Sequence, residues 1–461
     1  MIENNHTQKV IEIQKIIKSW SRRKFSLMGN CTVTKTFMLS QVTNILQSIS
    51  LPFNILEDID KLLFQFLWGN GDRTKRVPEK VRRSTVCLPI QEGGLGMISV
   101  QDQQQVMLIS WIKKGINSNN STQRKLIDYF LRDVGGLKYI SRCDTDITHF
   151  KGMNNVKSLF WRNVLTSWLK LDKSAFNNLS CDIPLFNCSH FLFKKKPIYV
   201  RKWVLSGLLF RHQMYVNGQI KSIEEVGEVV GNYSNLLFDY FAVKSTLINS
   251  KVNDLFESGD SFSDSDFEEI FKFDNKNLRH MIVRNKPENN TLNCEVFWKS
   301  KYDVDVRLFF NTAKLATKEI KLRVLHFKIV HNIFPTNSSL FKMHIVTSPI
   351  CKNCTSVENL EHLFYTCEKL TSFWHMIEDM SELIFEKRIK LSPASALLGI
   401  SKLDYHGSTR QTNEFNCLLL IGKQSIVKSK FSNDYSLTFI FKHELSLRTK
   451  SLPSLKELFP T

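Results

Sequence analysis

The sequence lacks the segments that carry a chain into or across a membrane. Its first ten residues, MIENNHTQKV, do not have the basic and then apolar order of a secretory signal peptide. No apolar run approaches the roughly 20 residues that span a bilayer. The 10 cysteines are scattered over 461 residues, unlike the dense cysteine framework of small secreted domains. We therefore expect an intracellular chain without a membrane partner.

Enzymatic signatures are absent as well. The chain contains no Walker loop, no G-x-S-x-G nucleophile elbow and no H-E-x-x-H metalloprotease motif. These absences exclude the enzyme classes that the motifs define. We therefore expect no catalytic residue and no enzymatic activity from this chain as it stands.

Positive charge is what the sequence has in excess. Lys and Arg number 63 against 44 Asp and Glu, which gives a formal net charge of +19. Apolar residues at 42% and charged residues at 23% are close to globular averages, and the length predicts roughly two to four domains. A basic globular chain indicates a polyanionic partner, and we expect RNA or DNA, ahead of an acidic membrane surface.

Helical periodicity dominates the first 70 residues. Apolar side chains recur every three or four positions in three stripes, with a turn predicted at 28–30 and a stop at Leu51-Pro52. Asn54, three residues before Glu57, is the predicted N-cap of the third helix. The stripes are Val10, Ile13, Ile17 and Trp20, then Met38, Val42, Ile45 and Ile49, then Ile55, Ile59, Leu62 and Phe66. The three apolar stripes predict an antiparallel three-helix bundle, in which each helix buries its stripe against the other two.

The same periodicity predicts helices from Ser99, along 156–168 and along 322–329, so the expected fold class is mainly α and multi-domain. Polar stretches at 117–125 and 250–266 are the best linker candidates. The predicted segments are a three-helix bundle over 1–70, a basic segment over 71–116, a helical domain over 126–250, an acidic linker over 251–274, a helical and zinc-binding module over 275–385 and a C-terminal tail over 386–461.

One cysteine cluster has the spacing of a metal site. Cys351, Cys354, His362 and Cys367 form C-x2-C-x7-H-x4-C, three thiolates and one imidazole that together make a closed tetrahedral set for zinc. With all four positions filled by protein, no place is left for an activated water. The expected role is therefore structural. The alternative is a set of ordinary buried cysteines beside an unrelated histidine.

Two further sets are weaker. Cys181, Cys188 and His190 lack a fourth ligand in the sequence, so we do not expect a metal there. His326 and His331 are five residues apart on a predicted helix and point about 140° from each other, which favours two ordinary, partly buried histidines.

Two basic runs are candidate nucleic-acid contacts. Aromatic residues accompany the second run, where base stacking would add to phosphate contacts. The alternative is that both runs are solvated faces. The first run is Arg73, Lys75, Arg76, Lys80, Arg82 and Arg83; the second is Lys194, Lys195, Lys196, Arg201 and Lys202, interleaved with Phe193, Tyr199 and Trp203. The glycine-rich segment 92–96 lacks a full G-x-G-x-x-G, so it is interpreted as a structural turn.

Several segments occur together in a recognisable order. They are WSRRKFSLMG at 20–29, FLWG at 66–69, EGGLG at 92–96, RKWVLSG at 201–207 and the stretch from 323 to 374 that contains the four candidate zinc ligands. In this order the chain resembles the thumb, linker and zinc-binding module of LINE-type, non-LTR retrotransposon reverse transcriptases. The resemblance implies a thumb that lies along a template–primer duplex and a zinc module that helps to hold template RNA or target DNA.

The departures from that family are as informative as the matches. The family's polymerase site is a Y-x-D-D strand in a palm that precedes the thumb, and this chain has no two adjacent aspartates. The N-terminal endonuclease also has no counterpart. The resemblance therefore implies a C-terminal piece of a reverse transcriptase polyprotein, nuclear by analogy, to which the zinc ligands carry over and no catalytic residue does.

Three functions remain open from the sequence. The first is a nucleic-acid-binding accessory region of a reverse transcriptase. The second is a subunit of an active RNA-directed DNA polymerase whose palm is supplied by another chain. The third is a domesticated helical scaffold that binds proteins and whose charge serves solubility.

Overall fold

The computed structural model describes residues 2–69, 77–117, 121–171, 183–250, 274–401, 407–431, 436–448 and 452–458. The expected mainly α fold class is confirmed. The helices are α1 (Ile2–Trp20), α2 (Leu27–Val33), α3 (Ser40–Ser48), α4 (Phe53–Gly69), α5 (Arg83–Cys87), α6 (Val100–Asn117), α7 (Ser121–Leu131), α8 (Gly136–Arg142), α9 (Leu159–Leu169), α10 (Arg201–Leu205), α11 (Ile223–Val230), α12 (Leu236–Ile248), α13 (Asn275–Arg284), α14 (Asn293–Tyr302), α15 (Thr312–Ala316), α16 (Ile320–Val330), α17 (Asn337–Lys342), α18 (Thr371–Phe385), α19 (Pro393–Leu398), α20 (Thr409–Phe431) and α21 (Leu437–Ser446).

Strands contribute two short antiparallel hairpins in the described part of the chain. The first pairs β1 (Leu192–Phe193) with β2 (Lys196–Pro197), and the second pairs β3 (Tyr215–Val216) with β4 (Gln219–Ile220). Single π-helical turns occur at Thr34–Met38 and His362–Thr366.

Two compact units make up the chain. Unit 1 contains Met1–Met38, Lys61–Ile98 and Lys286–Thr461, and unit 2 contains Leu39–Asp60 and Ser99–Asn285. Each unit combines segments that are distant in sequence, whereas the six segments expected above are consecutive. Those segments stay a prediction, and the expected acidic linker at 251–274 lies almost wholly outside the described residues.

The expected helix stripes fall on helical residues except Ile49, which is the C-cap of α3, and two boundaries differ. Residues 28–30, predicted as a turn, lie inside α2. The cap is Ser26, whose hydroxyl accepts the Gly29 N–H at 3.1 Å, so the helix starts directly after this serine. The third predicted helix corresponds to α4, which begins at Phe53, so the expected N-cap Asn54 lies in its first turn.

Unit 2 is built around α6. This helix packs against α3, α7, α9 and α13. Its start is fixed by Asp60, whose carboxylate accepts the Ser99 hydroxyl at 2.7 Å and the Val100 N–H at 2.7 Å. Burial raises the pKa of Asp60 to about 6.

Unit 1 is built around α20, a helix that is buried on most of its circumference. It packs against α15, α16, α18 and α21. Polar side chains on this helix are buried with partners: Asn416 pairs with the backbone N–H of Ile400 at 2.8 Å and with its carbonyl at 2.9 Å. Glu414 accepts the N–H and the hydroxyl of Ser454 at 2.7 and 2.9 Å. These bonds compensate for the loss of water around buried polar groups.

The ammonium of Lys423 is buried at the centre of unit 1. Only 1% of this residue is exposed, and its Nζ donates to the Leu397 carbonyl at 2.7 Å. Burial lowers the pKa of Lys423 to about 7. Burial, followed by the nearby Lys423, lowers the pKa of His326 to about 3. The folded state therefore favours the neutral form of both side chains.

Replacing Lys423 with Met should change how stability depends on pH. Because the pKa is near 7 in the folded state and near 10.5 in the unfolded state, the unfolded state holds the extra proton between these values. Wild-type stability relative to Lys423→Met should therefore rise by roughly 2 kcal/mol from pH 7 to pH 9. Denaturant unfolding of both proteins at the two pH values measures this. Lys387→Met, at an exposed position, is the control, and a pH-independent gap between wild type and Lys423→Met would contradict the burial argument.

Candidate metal centre and nucleic-acid interface

A tight loop brings Cys351 and Cys354 together in unit 1. An isolated bridge between Ile350 and Val357 closes the loop, and the Cys351 N–H donates to the Ser356 carbonyl at 2.9 Å. Inside the loop the N–H of Asn353 donates to the Cys351 sulfur at 3.4 Å. We call this closed loop, residues 350–357, the knuckle.

The sulfur of Cys354 also faces a backbone donor. Hydrogen bonding from the Ser356 N–H, and then from side chains that include Cys351 and Ser356, lowers the pKa of the Cys354 thiol. An N–H directed at sulfur favours the thiolate, which is the form that binds metal.

A π-helical turn supplies the second half of the site. His362 begins this turn and Cys367 directly follows it. In a π-helix the hydrogen-bonded partner is five residues away, so side chains at this spacing return to the same side. His326 and His331 have the same spacing, but they lie on and just after the α-helix α16. There they bond separately, to the carbonyls of Phe309 at 2.8 Å and Gly93 at 2.6 Å.

The four predicted ligands converge. One ligand atom from each of Cys351, Cys354, His362 and Cys367 lies within 4.8 Å of the other three, and the Cys354 sulfur is 3.2 Å from Nε2 of His362. Tetrahedral zinc with Zn–S near 2.3 Å and Zn–N near 2.0 Å places its ligand atoms about 3.5–3.8 Å apart. The donor set, its spacing and its partial burial therefore fit a closed zinc site.

Apolar packing holds this ligand set from below. Leu363 and Phe364 are buried, and the ring of Phe364 contacts Phe334 with centroids 5.1 Å apart. Trp374 donates its indole N–H to the Phe364 carbonyl at 3.0 Å. The π-helical turn is thus fixed both by its side chains and by its backbone.

A buried carboxylate connects the knuckle loop to the core of unit 1. Glu358 forms an ion pair with Lys430 of α20, and both side chains are largely excluded from solvent. Its Oε1 also accepts the Asn337 N–H at 2.8 Å, while its backbone carbonyl accepts the Ser338 N–H at 3.1 Å. Asn337 in turn donates to the Ile350 carbonyl at 2.8 Å. This network was not predicted from the sequence, since its two charged members are 72 residues apart.

The first basic run is only partly described. Arg73, Lys75 and Arg76 lie outside the described residues. Lys80 and Arg82 are exposed in unit 1. Arg83 is half-buried, with its Nε 2.9 Å from the Glu79 carboxylate and its guanidinium 5.1 Å from the Phe64 ring centroid. Arg83 therefore pairs with a carboxylate and a ring of the protein itself, which leaves less of its charge for a phosphate.

The second basic run forms the tip of a hairpin. Lys194 and Lys195 are the two loop residues between β1 and β2, and their φ angles are +51° and +65°. Two positive φ values in a two-residue hairpin loop are typical of a type I′ turn, which favours Asn-Gly. The β3–β4 hairpin has that preferred pair, Asn217 and Gly218, at φ +49° and +78°. The chain thus holds two lysines where another turn of the same shape has the residues that fit it best.

The surroundings of this hairpin are basic and apolar. Lys194, Lys195 and Lys196 are exposed together with Arg201 and Lys202, the first two residues of α10. Phe193 is 41% exposed, and Lys194 lies 5.5 Å from its ring centroid. α12 packs against β1 and exposes Phe238 and Phe241. We call Phe193, Lys194, Lys195 and Lys196 the hairpin surface.

The other two aromatic residues of the second run are not free to stack on a base. Trp203 is fully buried, and its indole N–H donates to the Tyr233 hydroxyl at 2.9 Å. Tyr199 is half-buried and its hydroxyl accepts from Asn155 at 3.3 Å. Aromatic interleaving in the sequence therefore overstated the stacking surface, because Trp203 lies in the core of unit 2 and Tyr199 packs against it.

The glycine-rich segment is a structural turn, as expected. Gly93 and Gly96 have φ values of +87° and +63°. A Cβ on Gly94 would lie 1.9 Å from the Leu88 carbonyl oxygen, so only glycine fits there. A neighbouring cavity, lined by residues that include Gly93 and His331, has a volume of about 20 Å³, enough for a water molecule.

The weaker candidate set, Cys181, Cys188 and His190, is only partly described, and the structure adds Asp144 to it. Cys181 lies outside the described residues. Cys188 and His190 lie near Asp144, a residue that the sequence did not single out because it is 44 positions away from Cys188.

Among the helices that the structure describes, none combines the length and the apolar character of a membrane span.

Comparisons with known proteins find a similarity in the segment that contains the candidate metal centre. Residues 276–374 match the family described as zinc-binding in reverse transcriptase, and this segment contains all four ligands. A protein of Arabidopsis thaliana, whose name describes it as a candidate ribonuclease H protein, is 31% identical over 97 residues. The match covers 21% of this chain and 16% of that protein. The expected relation to reverse transcriptases is thus confirmed for the zinc-binding segment, which is retrotransposon-like.

Zinc should depend on the knuckle cysteines. We expect Cys351→Ser combined with Cys354→Ser to remove one zinc ion per chain, because two of four ligands are lost and structural sites bind metal as a unit. Metal analysis of the purified full chain measures this. Cys417→Ser, which alters a buried thiol of unit 1 outside the cluster, is the matched control. An unchanged zinc content in the double variant would contradict the assignment.

Proposed function

We propose that this chain is a nucleic-acid-binding part of a LINE-type, non-LTR retrotransposon reverse transcriptase. In this role the chain holds template RNA, primer or target DNA and is stabilised by a structural zinc ion. The observation that carries the proposal is the convergence of the four ligands inside the segment that matches the reverse-transcriptase zinc-binding family.

The ligand set supports a structural role for the metal. Bound zinc would cross-link the knuckle loop to the π-helical turn, and Cys351, Cys354, His362 and Cys367 would fill its coordination sphere. The chain's own contribution is to hold these groups in place through Glu358 and the packing of Phe364.

The hairpin surface supports contact with a polyanion. Three consecutive exposed lysines beside an exposed Phe193 combine phosphate contacts with a stacking platform, a combination that suits single-stranded nucleic acid. Holding Lys194 and Lys195 in left-handed conformations opposes the turn preference, and such strain is typical of functional sites. The net charge of +19 has the sign that this partner requires.

A protein-binding scaffold is the second candidate. It is favoured by the exposed apolar side chains of α12, where Phe238 is 74% exposed and Phe241 57%. A scaffold of this kind binds proteins and would bind RNA or DNA no more tightly than its net charge alone causes, so nucleic-acid binding measurements separate the two candidates.

We also propose that this chain alone does not polymerise DNA. Nucleotide addition by two metal ions needs carboxylates that hold both ions about 3.5–4 Å apart, and the sequence lacks the Y-x-D-D strand of the family it resembles. A palm supplied by another chain would make it part of an active polymerase. A nuclear location is part of the proposal and follows from the family alone.

Primer extension tests this last point. With the purified chain, a primed RNA or DNA template, and Mg²⁺ or Mn²⁺, we expect no extension product. A reverse transcriptase added to the same mixture is the positive control. Robust extension that is abolished by substituting a carboxylate within residues 1–461 would show that the chain has its own polymerase site.

Salt-dependent binding tests the hairpin surface. Lys194→Asn with Lys195→Gly removes two charges while giving the turn its preferred residues, so the hairpin should stay folded. On single-stranded nucleic acid we expect weaker binding and a log–log salt slope that is smaller by about 1.4, equal to two phosphate contacts. Titrations at several salt concentrations measure the slope.

The matched control for this titration is Lys387→Gln with Lys390→Gln. Both lysines are exposed, and the charge lost is the same. If the control changes affinity and slope as much as the hairpin variant does, binding follows net charge and the hairpin surface is not the contact. If neither variant changes them, the contact lies elsewhere on the chain.

A further inference from the structure

A second group of metal-ligand side chains lies in unit 2. Asp144, Cys188 and His190 each offer one ligand atom, and the three atoms lie within 4.8 Å of one another. Cys188 is buried, Asp144 is half-buried and His190 is exposed. The group therefore lies at the edge of the unit 2 core, with one side open to solvent.

The segment that carries Cys188 and His190 is tied to unit 2 by its backbone. The Asn187 N–H donates to the Ile198 carbonyl at 3.3 Å, and the Ile198 N–H donates to the Phe191 carbonyl at 3.0 Å. The two ligand residues therefore lie between backbone hydrogen bonds that hold the segment on both sides.

The carboxylate of Asp144 is held in place by the loop that carries the other two ligands. The Ser189 N–H donates to Oδ1 of Asp144 at 2.9 Å, and the Ser189 hydroxyl donates to Oδ2. Ligating carboxylates are commonly oriented by hydrogen bonds of this kind. A carboxylate oxygen that accepts one hydrogen bond retains a lone pair for a metal.

Asn187 fixes the loop from the other side. Its φ is +50°, and its buried side chain accepts the Lys151 N–H at 2.8 Å and donates to the Lys151 carbonyl at 3.0 Å. A left-handed asparagine next to Cys188 costs free energy, and the surrounding bonds hold it there. The backbone next to Cys188 is therefore held in place by these bonds.

We propose that Asp144, Cys188 and His190 bind a second zinc ion, with the fourth coordination position open to solvent. A thiolate and an imidazole favour zinc over Mg²⁺ or Ca²⁺, which prefer oxygen ligands alone. Three protein ligands with an open position differ from the closed set of the knuckle. The site is independent of the proposed function and lies in the unit that does not contain the knuckle.

Metal analysis of the full chain tests this site. After loading with Zn²⁺ and removal of free metal, the wild type should hold two zinc ions per chain and Cys188→Ser with His190→Ala should hold one. Cys143→Ser is the matched control, since this buried thiol is adjacent to Asp144 and is not part of the ligand group. It should keep both ions.

A conservative variant guards against loss of folding. Asp144→Asn preserves size and should leave the far-ultraviolet circular dichroism unchanged, while it weakens zinc binding at this site by more than about tenfold. Loading with Co²⁺ gives a second readout, because the thiolate charge-transfer band should lose a small share of its intensity in Cys188→Ser and a large share in the knuckle variant.

These measurements test the two proposed zinc sites independently. Zinc that is lost only from Cys351→Ser with Cys354→Ser, with one ion per chain in the wild type, would overturn the second site and leave the knuckle intact. A zinc content that is unchanged in Cys188→Ser with His190→Ala would overturn it as well. Loss of one ion in each double variant, and of both in the combined variant, supports it.

Discussion

The buried carboxylate of Glu358 is the group on which the arrangement of the metal centre depends. A charge removed from water is costly unless it is paired and hydrogen bonded. Glu358 meets this requirement with Lys430 of α20 and with the N–H of Asn337 at the start of α17. Its own N–H donates to the Pro349 carbonyl, two residues before Cys351. One buried anion thereby joins a cysteine loop, a helix start and the central helix of unit 1.

Sequence spacing predicted the contacts between residues that are close to one another in the chain. The four candidate zinc ligands lie within 17 consecutive residues, and their positions relative to one another follow from a tight loop and one helical turn. Lys430, by contrast, comes from a distant helix, and Asp144 reaches Cys188 only through the folding of unit 2. The packing of the fold decides which distant residue pairs with a buried polar group. Because such pairs have no characteristic separation in the sequence, no spacing pattern predicts them.

A five-residue interval had opposite consequences at two places. At the end of α16 it separates His326 from His331, and each of these side chains is hydrogen bonded to a different backbone carbonyl. At 362–367 a π-helical turn brings the two ends together. Helix geometry predicted that His326 and His331 point in different directions. The metal motif predicted that His362 and Cys367 lie close together. The kind of helix that realises the motif could not be predicted, since π turns have no propensity signal of their own and are selected by the contacts around them.

The interleaving of the two units has a consequence for synthesis on the ribosome. Unit 1 combines Met1–Met38 and Lys61–Ile98 with Lys286–Thr461, so its first two segments leave the ribosome long before their partner. At ~5–20 residues per second, the intervening residues keep them waiting on the order of ten seconds or more. All of unit 2 is synthesised before Lys286–Thr461 completes unit 1, because Leu39–Asp60 and Ser99–Asn285 both precede that segment. Until Lys286–Thr461 follows, the first two segments of unit 1 lack the part of the chain against which they pack in the finished unit.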